Sequence, residues 1–225
     1  MAGNERWAYN WEGREFTLGT EKYTVKTQLN RMGRRCAGPK TWFDIGALCE
    51  SKCQVMFKTR CDLDPKDFPL VEDVKETQEI GENHILYEAS LYKVIDGIGH
   101  GPKVLLVTKR NQTEWMPYPD GQIFFTALKC VPGEDVSRIR NSLTSYDRRM
   151  IRFQLTKILE TMADNNRVLR TVDLSFLRWD RRTGILYLVD LTHWAYQIVQ
   201  DEITEKSPFE LEFGLWSDED LESPS

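Results

Sequence analysis

The chain has 225 residues, 40% hydrophobic and 11% aromatic, and a formal net charge of −5. That is enough apolar material for a core in one domain, or in one domain with a small lobe, and it excludes a disordered body. No stretch near eighteen apolar residues occurs and none follows Met1, so a membrane span and a secretory leader are not expected, and the expected location is the cytoplasm with reduced thiols.

In chain order, the first thirty residues alternate aromatic and polar side chains ("WAYNWEGREFTLGTEKYTVKT") and predict one or two strands. "RMGRRCAGPK" is a loop punctuated by Gly and Pro, and "CQVMFKTRC" is a strand. Two prolines in "LDPKDFPLVEDV" break it, and from about Glu82 the spacing of Ile85, Ala89, Tyr92 and Ile95 predicts a helix with one buried face. "KVLLVTKR" and "QIFFTALKC" are strands, the second ended by "VPGED". "SYDRRMIRFQLTKILETMADN" gives the clearest helix, opened by Ser145 and striped by Ile151, Leu155, Ile158 and Met162. Then come the strands "RVLRTVDL", "FLRWD" and "ILYLVDLTHW", the last two joined by the turn "RRTG", and an acidic end.

Charge is divided along this order. Residues 201–225 hold nine acids against Lys206, leaving +3 on the remainder, and Val136 to Arg182 carries eleven Arg or Lys against five Asp or Glu. A basic stripe of Arg138, Arg140, Arg148, Arg149, Arg152, Lys157 and Arg167 suits a polyanion, whereas the bland reading is a solvated surface. Cys49 and Cys53 stand four apart with Cys61 nearby; zinc wants two tight pairs, so structural thiols are expected and no metal site.

The two aspartates Asp173 and Asp190 each follow Val and precede Leu, seventeen residues apart across a hairpin. A carboxylate inside an apolar strand costs several kcal/mol unless paired, so these two carry either a reactive site or a buried ion pair, with Arg178 the candidate partner.

The order of strand, helix, strand pair, helix and two-aspartate hairpin resembles the protein-kinase-like fold over roughly residues 50–195. The resemblance implies a two-lobed α+β architecture: an N-terminal lobe of antiparallel sheet plus one helix (1–128), a reduced C-terminal lobe (129–200) and an acidic tail (201–225). It implies that Lys58 of "VMFK" grips phosphates with Glu88 on the next helix as ion-pair partner. "FFTALKCVPGEDV" then joins the lobes, Asp173 is the proton acceptor, and Asp190 of "LVDLT" is the magnesium ligand. Without that resemblance, Lys58 reads as a solvated edge lysine and Glu88 as a surface acid.

The sequence departs from the kinase pattern at several points. Arg178 stands five residues past Asp173, where the pattern has a metal-binding Asn, and a cation there repels Mg²⁺. Thr171-Val172 replaces His-Arg, Leu-Thr follows Asp190, and no Gly-rich loop precedes Lys58 beyond "GRRCAG". Only thirty-five residues follow Asp190. Three readings result: a phosphotransferase using Mg-ATP on a small molecule, a pseudokinase that binds without turnover, and an enzyme whose donor arrives already activated.

For the third, the short chain resembles the fungal arginine-containing cyclodipeptide synthases, on its size and an acidic D-x-x-x-E motif at Asp201–Glu205 ("DEITE"), with a second copy at Asp218–Glu222. That resemblance implies aminoacyl transfer between aminoacyl-tRNAs, arginyl-tRNA included, without a cofactor. The basic stripe would meet the tRNA backbone, and Arg178 and Trp179 would stack nearby. Asp201 and Glu205, or Asp173 and Asp190, would orient the amine and guanidinium. Ser175 is the candidate for a covalent intermediate, and His193 reads as a packed residue or a base.

Overall fold

The computed structural model describes residues 12–18, 20–29, 54–62, 64, 66, 73–114, 116, 118–119, 121–169, 172–191, 194–196, 203–204 and 213–215, and the backbone alone of 42–50. It is an α+β protein whose contacts divide into two compact units, one of residues 1–89 and 104–130, the other of 90–103 and 131–225. Among the described residues no helix is long and apolar enough to cross a membrane.

The first unit is built on β1 (Glu15–Leu18), β2 (Glu21–Leu29), β3 (Trp42–Glu50), β4 (Gln54–Asp62), β5 (Val104–Asn111) and β6 (Gln122–Lys129). They form one antiparallel sheet in the order β1-β2-β3-β4-β6-β5. At its edges the Arg110 guanidinium of β5 donates to the Thr17 carbonyl of β1 at 2.7 Å, and one face of the sheet forms an apolar inner face. Strand period two sends Val55, Phe57 and Cys61 of β4 to that inner face, where they pack with Tyr23, Val25, Ile123, Phe125 and Ala127. Tyr23 and Phe57 meet edge to face with ring centroids 4.8 Å apart. Burying a side chain like Phe57 contributes about 2 kcal/mol, so the alternation fixes the register of β4 firmly.

Helix α1 (Val74–Gly97) follows β4. It starts eight residues before the apolar spacing begins, because Asp73 caps it, accepting from the Glu76 amide at 2.9 Å. Most of its first two turns are exposed, and an apolar stripe appears only where Ile85, Ala89, Tyr92 and Ile95 become buried. Its end is closed by Gly99 at φ 81°, with the His100 amide on the Ile95 carbonyl at 3.0 Å.

In the second unit, α3 (Ser145–Asp164) follows the short strand β7 (Glu134–Asp135) and the single turn α2 (Val136–Ile139). Thr144, not Ser145, caps α3: Thr144 Oγ1 accepts from the Asp147 amide, and Asp147 Oδ2 accepts from the Thr144 amide, each at 3.0 Å. An aspartate thus closes the box where a glutamate is usual. Ile151, Leu155, Ile158 and Met162 are fully buried. Strand β8 (Arg167–Leu169) pairs with β11 (Trp194–Tyr196), and β9 (Leu177–Asp180) pairs with both β7 and β10 (Ile185–Leu188).

Two buried polar side chains pin β10. Gln154 of α3 donates to the Gly184 carbonyl (2.8 Å) and accepts from the Leu186 amide (2.9 Å). His100 meets the Leu186 carbonyl through Nδ1 (2.8 Å), and its own carbonyl accepts from Leu188 (2.9 Å). Burial pushes the His100 pKa down, and a carbonyl only accepts, so the neutral ring carries its proton on Nδ1. Gly133 allows β7 to lie against β9: it sits at φ 98°, and a Cβ there would stand 2.7 Å from the Asp180 nitrogen.

Candidate phosphate-binding site

Lys58 lies on β4 between β3 and β6, opposite Gly46 and Thr126. It is therefore on an interior strand, not the solvated edge. Because Phe57 points into the core, Lys58 points to the other face, where its Nζ forms an ion pair with Oε1 of Glu88 on α1. The Lys58 and Glu88 side chains are 15% and 8% exposed. Glu88 has a second cation: Arg60, two residues on and so on the same face, brings Nη2 to 3.9 Å from Glu88 Oε2. Arg60 Nη1 also stands 2.9 Å from His84 Nδ1. A guanidinium only donates, so His84 accepts through Nδ1. Arg60 and His84 were not among the residues singled out by the sequence. The strand period that places Lys58 also places Arg60, and His84 precedes Glu88 by one helical turn.

Asp173 and Asp190 flank the open end of the β9–β10 hairpin, where the Val189 amide donates to the Phe176 carbonyl at 2.8 Å. The position of Asp173 corrects the sequence reading. It is not inside an apolar strand: among the described residues the strand of that segment is Arg167–Leu169, and Asp173 lies outside it. Asp173 is exposed and caps the single 3-10 turn Leu174–Phe176, its Oδ1 accepting from Ser175 N at 2.8 Å. Asp190, two residues beyond β10, is half-buried. The peptide groups on either side of it are held by the Tyr92 hydroxyl, which donates to the Val189 carbonyl and accepts from the Leu191 amide, each at 3.2 Å.

Arg178 is half-buried and donates to the Gly133 carbonyl at 3.1 Å; among the described residues no ion pair joins it to Asp173 or Asp190. The buried-ion-pair reading with Arg178 is thereby removed. Trp179 is 1% exposed and donates its indole N–H to Asp147 Oδ1 at 3.0 Å. Alternation along β9 turns Leu177 and Trp179 inward, so Trp179 belongs to the core and is not available for stacking. Asp201, Glu205, the second acidic motif and His193 lie outside the described residues. Several members of the basic stripe are engaged within the unit. Arg138 pairs with Asp135 (3.8 Å), Arg140 donates to the Gly214 carbonyl (2.6 Å), Arg148 to the Arg140 carbonyl (3.3 Å) and Arg167 to that of Asn166 (3.0 Å).

Among the described residues no group of three or more His, Cys, Asp or Glu is placed to hold a metal. The carboxylates that flank the hairpin are those of Asp173, exposed, and Asp190, half-buried.

No protein-family model matches this chain, and no curated protein matches it. Solved structures of similar fold include two kinases. The PK-1 kinase of Cydia pomonella granulovirus has a TM-score of 0.49 and 15% identity over 77% of this chain and 52% of its own. Vaccinia related kinase 3 has a TM-score of 0.48 and 12% identity over 82% of this chain and 52% of its own. The chain spans about half the length of these structures.

Proposed function

We propose that this chain is a kinase-like phosphate-binding module that takes a nucleoside triphosphate with one magnesium ion and turns it over poorly or not at all. The observation that carries this reading is the Lys58–Glu88 ion pair between an interior strand and the helix that follows it. Phosphoryl-transfer proteins use that arrangement to hold a lysine over the phosphates. Arg178, where the kinase pattern has a metal-binding Asn, disfavours transfer. Thermal denaturation of the full chain tests the reading: Mg-ATP raises Tm, and Lys58→Met abolishes the shift. A wild-type Tm that does not move at saturating Mg-ATP contradicts it.

A second reading, phosphotransfer to a small hydroxylated substrate, is favoured by the exposure of Asp173, whose carboxylate is accessible to a substrate proton. Formation of a phosphorylated product, lost in Asp173→Asn, separates it from binding alone. Aminoacyl transfer between tRNAs has less support: Trp179 is core, and Arg140, Arg148 and Arg167 of the basic stripe bond backbone carbonyls. An arginine-containing diketopiperazine in the medium of a bacterial expression host would restore it.

A further inference from the structure

Apart from Leu105 of β5, the large apolar side chains exposed among the described residues lie on α1 and α3. On α3, turned away from the buried stripe, Tyr146 and Phe153 are each 60% exposed and stand two turns apart, about 10 Å along the axis. Arg149 and Lys157 continue the same face, and both are exposed. The Arg149 guanidinium lies 5.8 Å from the centre of the Tyr146 ring, and among the described residues no carboxylate pairs with Arg149 or Lys157. On α1, Ile80 (54% exposed) and Tyr87 (50%) repeat the seven-residue separation. The exposed Glu76 and Asn83 share their face, and among the described residues no cation pairs with Glu76. One face is aromatic and basic, the other apolar and acidic.

The spacing of the two faces matches in one orientation. From Glu76 the chain reaches Ile80, Asn83 and Tyr87 in steps of four, three and four; back from Lys157 it reaches Phe153, Arg149 and Tyr146 in steps of four, four and three. Laid antiparallel, the helices set Lys157 opposite Glu76, Phe153 opposite Ile80, the Arg149 guanidinium opposite the Asn83 amide oxygen, and tyrosine opposite tyrosine. Laid parallel, they set Arg149 on Ile80 and Phe153 on Asn83, which serves neither charge nor apolar surface. We propose that α3 of one copy of this chain docks antiparallel on α1 of a second copy. The contact joins two different faces, so each copy can give one and receive on the other. It spans about three turns and stops where Glu160 would come opposite Asp73, which is less than a standard interface; the association is therefore weak and concentration-dependent. It stands apart from the nucleotide-binding reading.

Sedimentation velocity of the full-length protein at low ionic strength, from micromolar to submillimolar concentration, tests this. The sedimentation coefficient of wild type rises with concentration. Phe153→Asp and Ile80→Asp, both at exposed positions and checked for wild-type circular dichroism, each stay monomeric alone. Their equimolar mixture associates, because each supplies the face that the other has lost. Lys157→Glu sets two glutamates against each other and weakens association by about tenfold or more, and adding Glu76→Lys to the same chain restores it. Wild type that stays monomeric throughout overturns the proposal, whatever else binds these faces. So does either Asp variant associating as wild type does, a mixture that stays monomeric although wild type associates, or a charge exchange that restores nothing.

Discussion

Removing the Glu88 carboxylate should cost more stability than removing the Lys58 ammonium, because Glu88 serves two cations, Lys58 and Arg60. At the 3.9 Å between Arg60 Nη2 and Glu88 Oε2, Coulomb's law gives about 4 kcal/mol of gross attraction at an effective dielectric near 20, and Lys58 adds a second ion pair to the same carboxylate. Desolvation offsets most of this in the intact protein, with the three side chains 15% (Lys58), 6% (Arg60) and 8% (Glu88) exposed. A variant reads the loss of one partner while the others remain buried. Glu88→Gln keeps the shape, removes the charge from both contacts, and is expected to destabilise by about 3–5 kcal/mol. Lys58→Met leaves Glu88 its Arg60 contact and fills the stem's volume, and should cost about 1–3 kcal/mol. Equilibrium urea unfolding followed by far-UV circular dichroism measures both. At these burials screening is weak, so the difference should persist in about 1 M salt. A Glu88→Gln protein within about 0.5 kcal/mol of wild type, or Lys58→Met as the costlier change, would refute the shared-carboxylate argument.

Asp147 both closes the α3 cap and accepts the Trp179 indole, so Asp147→Ala should cost about 2–3 kcal/mol against about 1 kcal/mol for Thr144→Ala, read by the same unfolding curves. Burial pushes the Asp147 carboxyl up, but its bonds from Thr144 and Trp179 and the charge of Arg181 hold it below the usual carboxylate value. Its stabilisation is therefore full above the unfolded value near pH 4 and is lost as pH falls through the folded one; Asp147→Asn should flatten the acid limb of a stability–pH profile. Asp62 has the opposite sign. Burial raises its carboxyl despite bonds from Gln122 and Gln78, so the folded state favours the protonated form, and this contribution is lost as pH rises through the folded value. Asp62→Asn should remove that dependence, and an unchanged profile contradicts it. Gly133→Ala should lower stability by about 2 kcal/mol or more, since a Cβ meets the β9 backbone at 2.7 Å and φ is 98°; a Tm equal to wild type would contradict the close approach.

The strands and the stripe of α3 were legible because their apolar residues follow a single period: β4 in steps of two, α3 at Ile151, Leu155, Ile158 and Met162. The start of α1 was not, because an exposed helix turn has no apolar signature and the capping aspartate Asp73 is separated from the buried stripe by twelve residues. Asp173 was misplaced because "TVDL" reads as strand, whereas its carboxylate bonds the backbone two residues on and bends the chain into a 3-10 turn. Arg178 and Trp179 are adjacent on a strand, and sequence alone does not say which of two neighbours faces inward; the apolar Leu177 two residues before Trp179 decides it. Tyr92 was read as one more apolar residue of a helix face. Its hydroxyl matters through residues 189–191, nearly a hundred positions later, which no local pattern records.

Phosphorus NMR of ATP titrated with the full-length protein bears most directly on whether the Lys58–Glu88 pair is an anion grip. The account predicts that wild type broadens or shifts the β- and γ-phosphate resonances and that Lys58→Met leaves them as in free ATP. Phosphate resonances that respond equally to both proteins, or to neither, would contradict it.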